Sequence, residues 1–184
     1  IILSSLSLIL EGNYVPFGAM IYYSDSCILQ LLSSLSIVLS KLEFSDLITF
    51  PKLNHAVFLF LRSLFTSNML IVSILPKDLF QYFIRLLVSG VSCDDEITVK
   101  YASSTVDTLA TFIYVNGKGH LDSFQKIQAL IGDPQSFWSP MFFELFHAIL
   151  FGRLGVQWNL SRPLLSVYLT YEKSLEDYFM YLQA

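Results

Sequence analysis

Apolar residues recur at intervals of three and four positions along nearly the whole chain, and this spacing constrains the fold more than any other feature. Residues spaced in this way lie on one face of an α-helix, whereas a strand alternates in steps of two. The clearest stripe, in segment 24–42, consists of Ile28, Leu31, Leu32, Leu35, Val38, Leu39 and Leu42. No segment shows the sustained alternation typical of a hairpin. The sequence therefore predicts an all-α fold.

Start and stop signals divide this pattern into successive helices. A helix tolerates proline in its first turn and is often terminated by glycine. The predicted helix starts are near residues 24, 51, 76, 94, 133 and 161, with Ser24 and Asp25 as caps of the first. The predicted stops are Ser89–Gly90, Gly132, Gly152 and Gly155. Segments 11–18 and 116–120 contain the glycines typical of loops and are predicted to be loops.

The segment 157–165 is predicted to start one of the last helices. Ser161 can serve as its N-cap, since a serine hydroxyl accepts from a free backbone N–H of the first turn. Pro163 then falls in that first turn, where its missing N–H costs nothing. Trp158, just upstream, is predicted to pack against the incoming helix.

The helix starts recur as pairs at a spacing near that of HEAT-like repeats. Wide apolar stripes are expected when each pair packs on neighbours at both sides. The phenylalanines at 142, 143 and 146 are predicted to belong to such a core. The prediction is an α-solenoid of HEAT-like antiparallel helix pairs, with residues 1–184 forming one continuous unit. Because the chain opens at Ile1, we expect a fragment of a longer superhelix.

The composition is apolar enough to raise a second possibility, a polytopic membrane protein. Apolar residues make up 54% of the chain and charged residues 14%. The longest uncharged run, 26–40, has fifteen residues, whereas a membrane-spanning helix needs about 20. An internal segment of a larger soluble protein is therefore favoured, with no membrane partner expected.

Charge and cysteine content exclude further classes. The net charge is −4 and no basic patch is present, so a nucleic-acid partner is not expected. Cys27 and Cys93 form no CxxC pair and no disulfide framework, which fits a reducing compartment.

No arrangement of residues predicts catalysis, a metal or a cofactor. The sequence Gly117-Lys118-Gly119 lacks the spacing of a phosphate-binding loop and is predicted to be a turn. Glu144 and His147 lie one helical turn apart, which supplies only half a metal site, so we expect a surface or rim pair. The chain is predicted to be a non-enzyme.

The carboxylates of Asp94, Asp95 and Glu96 are the one candidate contact site. Acidic side chains at a helix start are stabilised by the helix dipole. The same residues also offer an acidic contact for a basic partner. Both interpretations stay open from the sequence.

Three blocks of sequence resemble the importin-β superfamily of nuclear transport receptors, specifically the exportin-7 (Ran-binding protein 16) type. The blocks are Glu11-Gly12-Asn13-Tyr14-Val15-Pro16-Phe17-Gly18, the series Tyr22-Tyr23, Asp46-Leu47 and Pro51-Lys52-Leu53, and Gln157-Trp158-Asn159-Leu160-Ser161-Arg162-Pro163-Leu164-Leu165. Glu172-Lys173 and Asp177 also fit. Between residues 91 and 154 only the apolar pattern matches. Pro16 and the short loop 116–120 depart from the family.

The resemblance implies a HEAT-repeat receptor that carries protein cargo through nuclear pores under the control of Ran-GTP, shuttling between nucleus and cytoplasm. It implies cargo and nucleoporins as partners, and Ran-GTP contacts mainly outside this segment, which would form part of the C-terminal arch. No binding residue is transferred, and neither cargo nor transport direction follows. A generic helical-repeat scaffold for protein–protein interaction remains the alternative.

Overall fold

The computed structural model describes residues 2–12, 14–23, 25–39, 41–117, 121–152 and 157–183. These ranges contain twelve helices and no strand, so the predicted all-α fold is confirmed for them. In chain order the helices are α1 (Ile2–Glu11), α2 (Phe17–Tyr22), α3 (Ser26–Leu39), α4 (Phe44–Thr49), α5 (Pro51–Ser67), α6 (Met69–Ser73), α7 (Lys77–Val91), α8 (Glu96–Asn116), α9 (Asp122–Ile131), α10 (Pro134–Phe151), α11 (Gln157–Thr170) and α12 (Ser174–Gln183). They group into two compact units, Ile1–Leu86 and Leu87–Ala184.

The first unit is organised around α5, one face of which is apolar and buried. Its buried apolar side chains are Val57, Phe58, Phe60, Leu61, Leu64 and Phe65. The apolar face of α7 is buried as well, and its rings pack against those of α5, with ring centroids 6.5 Å apart for Phe65 and Phe80. Helices α1, α4 and α6 also pack on α5. Burial of each large side chain contributes about 1.5–3 kcal/mol, so this face of α5 holds the unit together.

The second unit is built on α8 and α10. Helix α8 lies along α11, and α10 packs against both α11 and α12. Asp107 contacts Arg162 and Ser166, while Ala110 contacts Thr170, so residue numbers rise together along α8 and α11. These two helices therefore run parallel. The helix packing is consistent with the predicted α-solenoid.

Most predicted starts agree with the observed helices. Helices α3, α5, α7, α8 and α10 begin within two residues of the predicted positions. Asp133 caps α10 by accepting from the N–H of Ser136 at 2.9 Å. Gly132 has φ of 72° and ends α9, as expected of a glycine stop.

The predicted N-cap at Ser161 is wrong. Helix α11 begins at Gln157, which places Ser161 and Pro163 inside the helix. The Ser161 hydroxyl donates backwards to the carbonyl of Trp158 at 3.0 Å, as serines within helices often do. Pro163 is buried, so packing retains a residue that local propensity would exclude from a helix interior.

The predicted packing of Trp158 is also wrong, since this side chain is 88% exposed. The buried residues of α11 are Leu160, Pro163 and Val167, which share one face through spacings of three and four. Trp158 is two positions before Leu160, and a step of two residues points to the opposite side of a helix.

Several element boundaries differ from the predictions. The proposed stop at Gly90 is wrong, because α7 continues to Val91, which is only 2% exposed and extends the buried stripe. Phe17 and Gly18, predicted as loop, begin α2. Helices α1, α2 and α4 were not expected. In α3 only part of the predicted stripe is buried, since Val38 is 61% exposed.

Some predictions fall outside the described residues, namely the Ser24 cap, the loop at 118–120 and the stop at Gly155. Asp25 does accept from the N–H of Cys27 at 2.8 Å, which supports its predicted capping position. Within the described ranges, no helix combines the length and apolar character that crossing a membrane requires.

Candidate functional site

The three carboxylates at the start of α8 have different roles in the structure. Asp95 is the N-cap, and its Oδ2 accepts from both the N–H and the hydroxyl of Thr98, at 2.9 Å and 2.5 Å. Asp94 and Glu96 are exposed, one on each side of this cap. Asp95 therefore stabilises the helix start, while Asp94 and Glu96 present negative charge to solvent.

Asp94 also lines a groove of about 250 Å³ in the second unit. We name this feature the α8 groove, and define it by Val91, Val99 and Leu160, which are buried, and by Asp94, His147 and Phe151, which are exposed. The buried members come from α7, α8 and α11, and His147 and Phe151 come from α10. The groove thus has an apolar floor and a rim with one carboxylate, one imidazole and one exposed aromatic ring.

Cys93 lies in the wall of the groove. Its thiol donates to the carbonyl of Asp95 at 3.6 Å. Burial is the main cause that raises the pKa of this thiol above its ordinary value. A raised pKa keeps the sulfur protonated at neutral pH, and it is the thiolate that acts as nucleophile. Cys93 therefore lacks the electrostatic activation of a reactive cysteine.

The predicted surface or rim position of Glu144 and His147 agrees with their accessibility, with His147 at the surface and Glu144 at the rim. His147 is exposed, with its ring centroid 4.9 Å from that of Phe151. Glu144 is half-buried and accepts a hydrogen bond from the Ser92 hydroxyl. This bond ties α10 to the segment that precedes α8. Among the described residues no group of three or more His, Cys, Asp or Glu side chains could hold a metal ion.

Sequence reasoning identified Asp94 but not the groove beside it. His147 and Phe151 are far from Asp94 along the chain, and they come together because α8 and α10 both pack on α11 and because Ser92 bonds to Glu144. No motif marks them. The one sequence signal for His147 and Phe151 was their place on the exposed face of α10. This signal is weak, because single exposed aromatic residues are common on protein surfaces.

The first two blocks that carry the family resemblance contribute one contact between helices and one helix cap. Glu11, from the first block, accepts from the hydroxyl of Ser63 on α5 at 2.8 Å. Asp46, from the second, accepts from the N–H of Glu43 at 3.2 Å and completes the capping box of α4. These residues position structural elements.

The last block anchors α11 to α8. The Arg162 Nε lies 3.0 Å from Asp107 Oδ2, and the hydroxyl of Ser166 donates to Asp107 Oδ1 at 2.6 Å. Asp177, which also fits the family, accepts from the hydroxyl of Ser139 on α10 at 2.8 Å. Each of these polar contacts joins two helices, so a related sequence that retains them would retain the same packing.

The fold and the groove together define a class of protein: a helical protein whose helices pack side by side and leave an open groove with one carboxylate on its rim. Comparison with known sequences then confirms the resemblance, since homologues of the chain are exportin-7 and the Ran-binding proteins 16 and 17. Exportin-7-B of Xenopus laevis is 26% identical over 183 residues, covering 95% of this chain. Ran-binding protein 16 of Drosophila melanogaster is 26% identical over 91% of the chain, and Ran-binding protein 17 of Mus musculus 27% identical over 95%.

The chain spans only 17% of the length of these relatives. No protein-family model matches it, and no solved structure shows a significant match. Because the match to exportin-7-B covers 95% of the chain, it includes most of residues 91–154, where the sequence alone showed only an apolar pattern.

Proposed function

We propose that this chain is a segment of a nuclear transport receptor that carries protein cargo through nuclear pores. The supporting observation is the match of nearly the whole chain to proteins named exportin and Ran-binding protein. Transport receptors act by binding, which agrees with a helical scaffold. In this proposal the protein is not an enzyme and shuttles between nucleus and cytoplasm.

We infer that the segment forms one continuous part of the C-terminal arch of such a receptor. Helical repeats contact mainly their neighbours, so small changes at each interface can add up to a change in curvature. The side-chain contacts of Asp107 and Asp177 with neighbouring helices would set that curvature locally. Ran-GTP would bind mainly to repeats outside this segment, with cargo and nucleoporins as the other partners.

Control by Ran-GTP would act through two curvatures with different affinities. A ligand shifts such an equilibrium only by its difference in affinity for the two states. By thermodynamic linkage, Ran-GTP and cargo must change each other's affinity by the same factor. In an exporter, Ran-GTP would raise the affinity of the receptor for cargo, and cargo would raise its affinity for Ran-GTP.

The test is a binding assay with the natural full-length protein immobilised. Ran locked in its GTP form should be retained and Ran-GDP should not. Cargo recovered from nuclear extract should increase when Ran-GTP is present. A second protein that lacks this segment should retain Ran-GTP yet lose the effect of Ran-GTP on cargo. Failure of the full-length protein to distinguish the two forms of Ran would refute the proposal.

A generic helical-repeat scaffold is the second candidate. It is favoured by the observation that Glu11, Arg162 and Asp177 all make contacts between helices. Such contacts can be shared by proteins with the same packing and different partners. A scaffold would bind its partners equally with Ran-GTP, with Ran-GDP and without Ran, which the same assay detects.

A further inference from the structure

We propose that Ser92 is a phosphorylation site for a serine kinase that selects acidic substrates, and that phosphate there releases the segment before α8 from α10. Ser92 begins the α7–α8 link, which we define as residues 92–95, between the end of α7 at Val91 and the start of α8 at Glu96. Its hydroxyl donates to a carboxylate oxygen of Glu144 on α10. The proposal concerns regulation of this segment and does not depend on a role in nuclear transport.

The sequence after Ser92 has the pattern that an acidic-directed kinase selects. Such a kinase has a basic substrate groove, so it favours a carboxylate three residues after the serine. Four serines of the chain meet this condition, at positions 40, 92, 104 and 174. Ser92 alone is followed by acidic residues at the second, third and fourth positions, namely Asp94, Asp95 and Glu96.

Accessibility favours Ser92 over the other serines of this pattern. Ser92 is exposed and lies between two helices, where the backbone is free of helical hydrogen bonding on one side. Ser104 lies inside α8 and Ser174 is fully buried. Ser40 lies outside the described residues, so a substitution must distinguish it from Ser92.

The carboxylates act in recognition only while the link is open. In the folded chain Asp95 accepts from the N–H of Thr98 at 2.9 Å, and Asp94 also has a partner. A kinase binds its substrate as an extended segment, which breaks these contacts for the lifetime of the complex. Helix ends open locally at low free-energy cost, so the contacts slow phosphorylation and do not prevent it.

The reaction is a phosphoryl transfer from ATP. The Ser92 Oγ forms a bond to the γ-phosphorus of MgATP, while the bond from that phosphorus to the bridging oxygen of the departing ADP breaks. The hydroxyl proton passes to the catalytic aspartate of the kinase. The resulting ester carries a charge of about −1.5 to −2 at neutral pH, and it retains no hydroxyl proton to donate to Glu144.

Phosphate at Ser92 turns an attractive contact into a repulsive one. The bond from Ser92 to Glu144 joins the link to α10, and the ester places a second anion beside that carboxylate. Ser92 also directly follows the end of α7, where the helix dipole disfavours negative charge. Among the described residues that line the α8 groove with Ser92, none is Lys or Arg, so neither pairs with the phosphate there. The link therefore separates from α10.

The site is tested on the whole chain with casein kinase II as the acidic-directed probe enzyme, MgATP, and mass spectrometry of proteolytic fragments. We expect phosphate on Ser92, and none on Ser104 or Ser174 while the chain is folded. Ser92→Ala should remove that label, and Ser40→Ala should leave the label on Ser92 unchanged. Absence of phosphate from Ser92, with the enzyme active on a control substrate, would overturn the assignment.

A substitution in the link tests recognition by charge. Asp95→Asn removes the carboxylate at the third position and keeps the cap, since Asn and Asp are equally good N-cap residues. We expect kcat/KM for phosphorylation of Ser92 to fall at least about tenfold, because a charged hydrogen bond to the kinase is lost. The matched control, Glu172→Gln, removes an exposed carboxylate of the same unit and should change kcat/KM less than about twofold. Equal rates for Asp95→Asn and the parent chain would refute acidic recognition.

Hydrogen exchange of the phosphorylated and unphosphorylated chains measures release from α10. Backbone amides in the first turn of α8 and around Glu144 should exchange at least about threefold faster with phosphate, and the difference should shrink near 1 M salt. Ser92→Ala loses the hydrogen bond without adding charge, so its increase should be smaller. In a Glu144→Gln chain the repelled carboxylate is gone, and phosphate should accelerate exchange less. Unchanged exchange on phosphorylation, or an equal increase in Glu144→Gln, would contradict the release.

Discussion

In the contact between α8 and α11, the carboxylate of Asp107 bonds to two residues, and we predict that these two bonds contribute unequally to stability. Asp107 is 14% exposed in its side chain and makes a bond to each of two residues of α11. The hydroxyl of Ser166 donates to it at 2.6 Å, and Arg162 lies at 3.0 Å with its own side chain 79% exposed. We expect the hydroxyl, and not the cation, to contribute more to stability.

The magnitudes follow from solvent exposure. A hydrogen bond to a charged group contributes about 1.5–3 kcal/mol when it is shielded from water. An ion pair with a well-exposed partner contributes about 0.2–1 kcal/mol. Ser166→Ala should therefore cost about 2 kcal/mol, and Arg162→Ala less than about 1 kcal/mol. Asp107→Ala removes both bonds and should cost about 2–3 kcal/mol.

Urea unfolding followed by circular dichroism measures these differences. A double-mutant cycle should give a larger coupling energy for Asp107 with Ser166 than for Asp107 with Arg162. Adding salt should reduce only the coupling energy between Asp107 and Arg162, because salt screens exposed charges. Hydrogen exchange of the α11 backbone amides shows whether the loss of stability is localised to the interface between α8 and α11.

The control pair is Asp122 with Lys126, an exposed pair within α9. Replacing Asp122 with Ala should cost no more than about 0.5 kcal/mol, as for other surface pairs of this spacing. The reasoning fails if Arg162→Ala destabilises the protein more than Ser166→Ala, or if the Asp107–Ser166 coupling is zero.

Three further predictions concern residues at helix ends and one serine, Ser161, that lies inside a helix. Ser161→Ala should change stability by less than about 0.5 kcal/mol, since this hydroxyl caps nothing, whereas Asp95→Ala should cost about 1 kcal/mol in the same urea assay. Gly132→Ala should cost about 1–3 kcal/mol in melting experiments, because φ of 72° is strained for any other residue; an unchanged Tm would contradict this. Hydrogen bonding from the Ser136 N–H lowers the pKa of Asp133, so its stabilisation is present above the ordinary carboxyl pKa and lost as pH falls through the lowered value. Asp133→Asn should remove that pH dependence from urea midpoints measured between pH 7 and pH 2.

The sequence predicted those helices best whose own residues mark the first turn, the last turn and the apolar face. Helix α10 is an example, since Asp133 and Pro134 mark its start and Gly152 its end. Helix α4 shows a signal that was missed: Glu43 and Asp46 have the spacing of a capping box, with Glu where Ser or Thr is usual and Asp where Glu is usual. Boundaries within α7 and α11 depend on burial of Val91 and Pro163, which only tertiary packing determines.

The candidate site was less predictable for the same reason. Asp94 was found because adjacent carboxylates at a helix start are visible in the sequence. His147 and Phe151 join it through the packing of α8 and α10 on α11, and no local pattern encodes that packing.

In the second unit, the residues that carry the resemblance to exportin-7 mainly hold helices together, although Leu160 of the third block also lies in the floor of the groove. Arg162, in the block that most closely follows the family, faces Asp107 and holds α11 against α8. The three exposed residues that define the groove are Asp94, His147 and Phe151. All three come from the stretch 91–154, where the sequence matches only the apolar pattern of the family. The resemblance is therefore most specific where helices are joined and least specific at the exposed residues of the groove. Shared packing is compatible with different partners, so the partners of this chain must be identified with the chain itself and not inferred from its relatives.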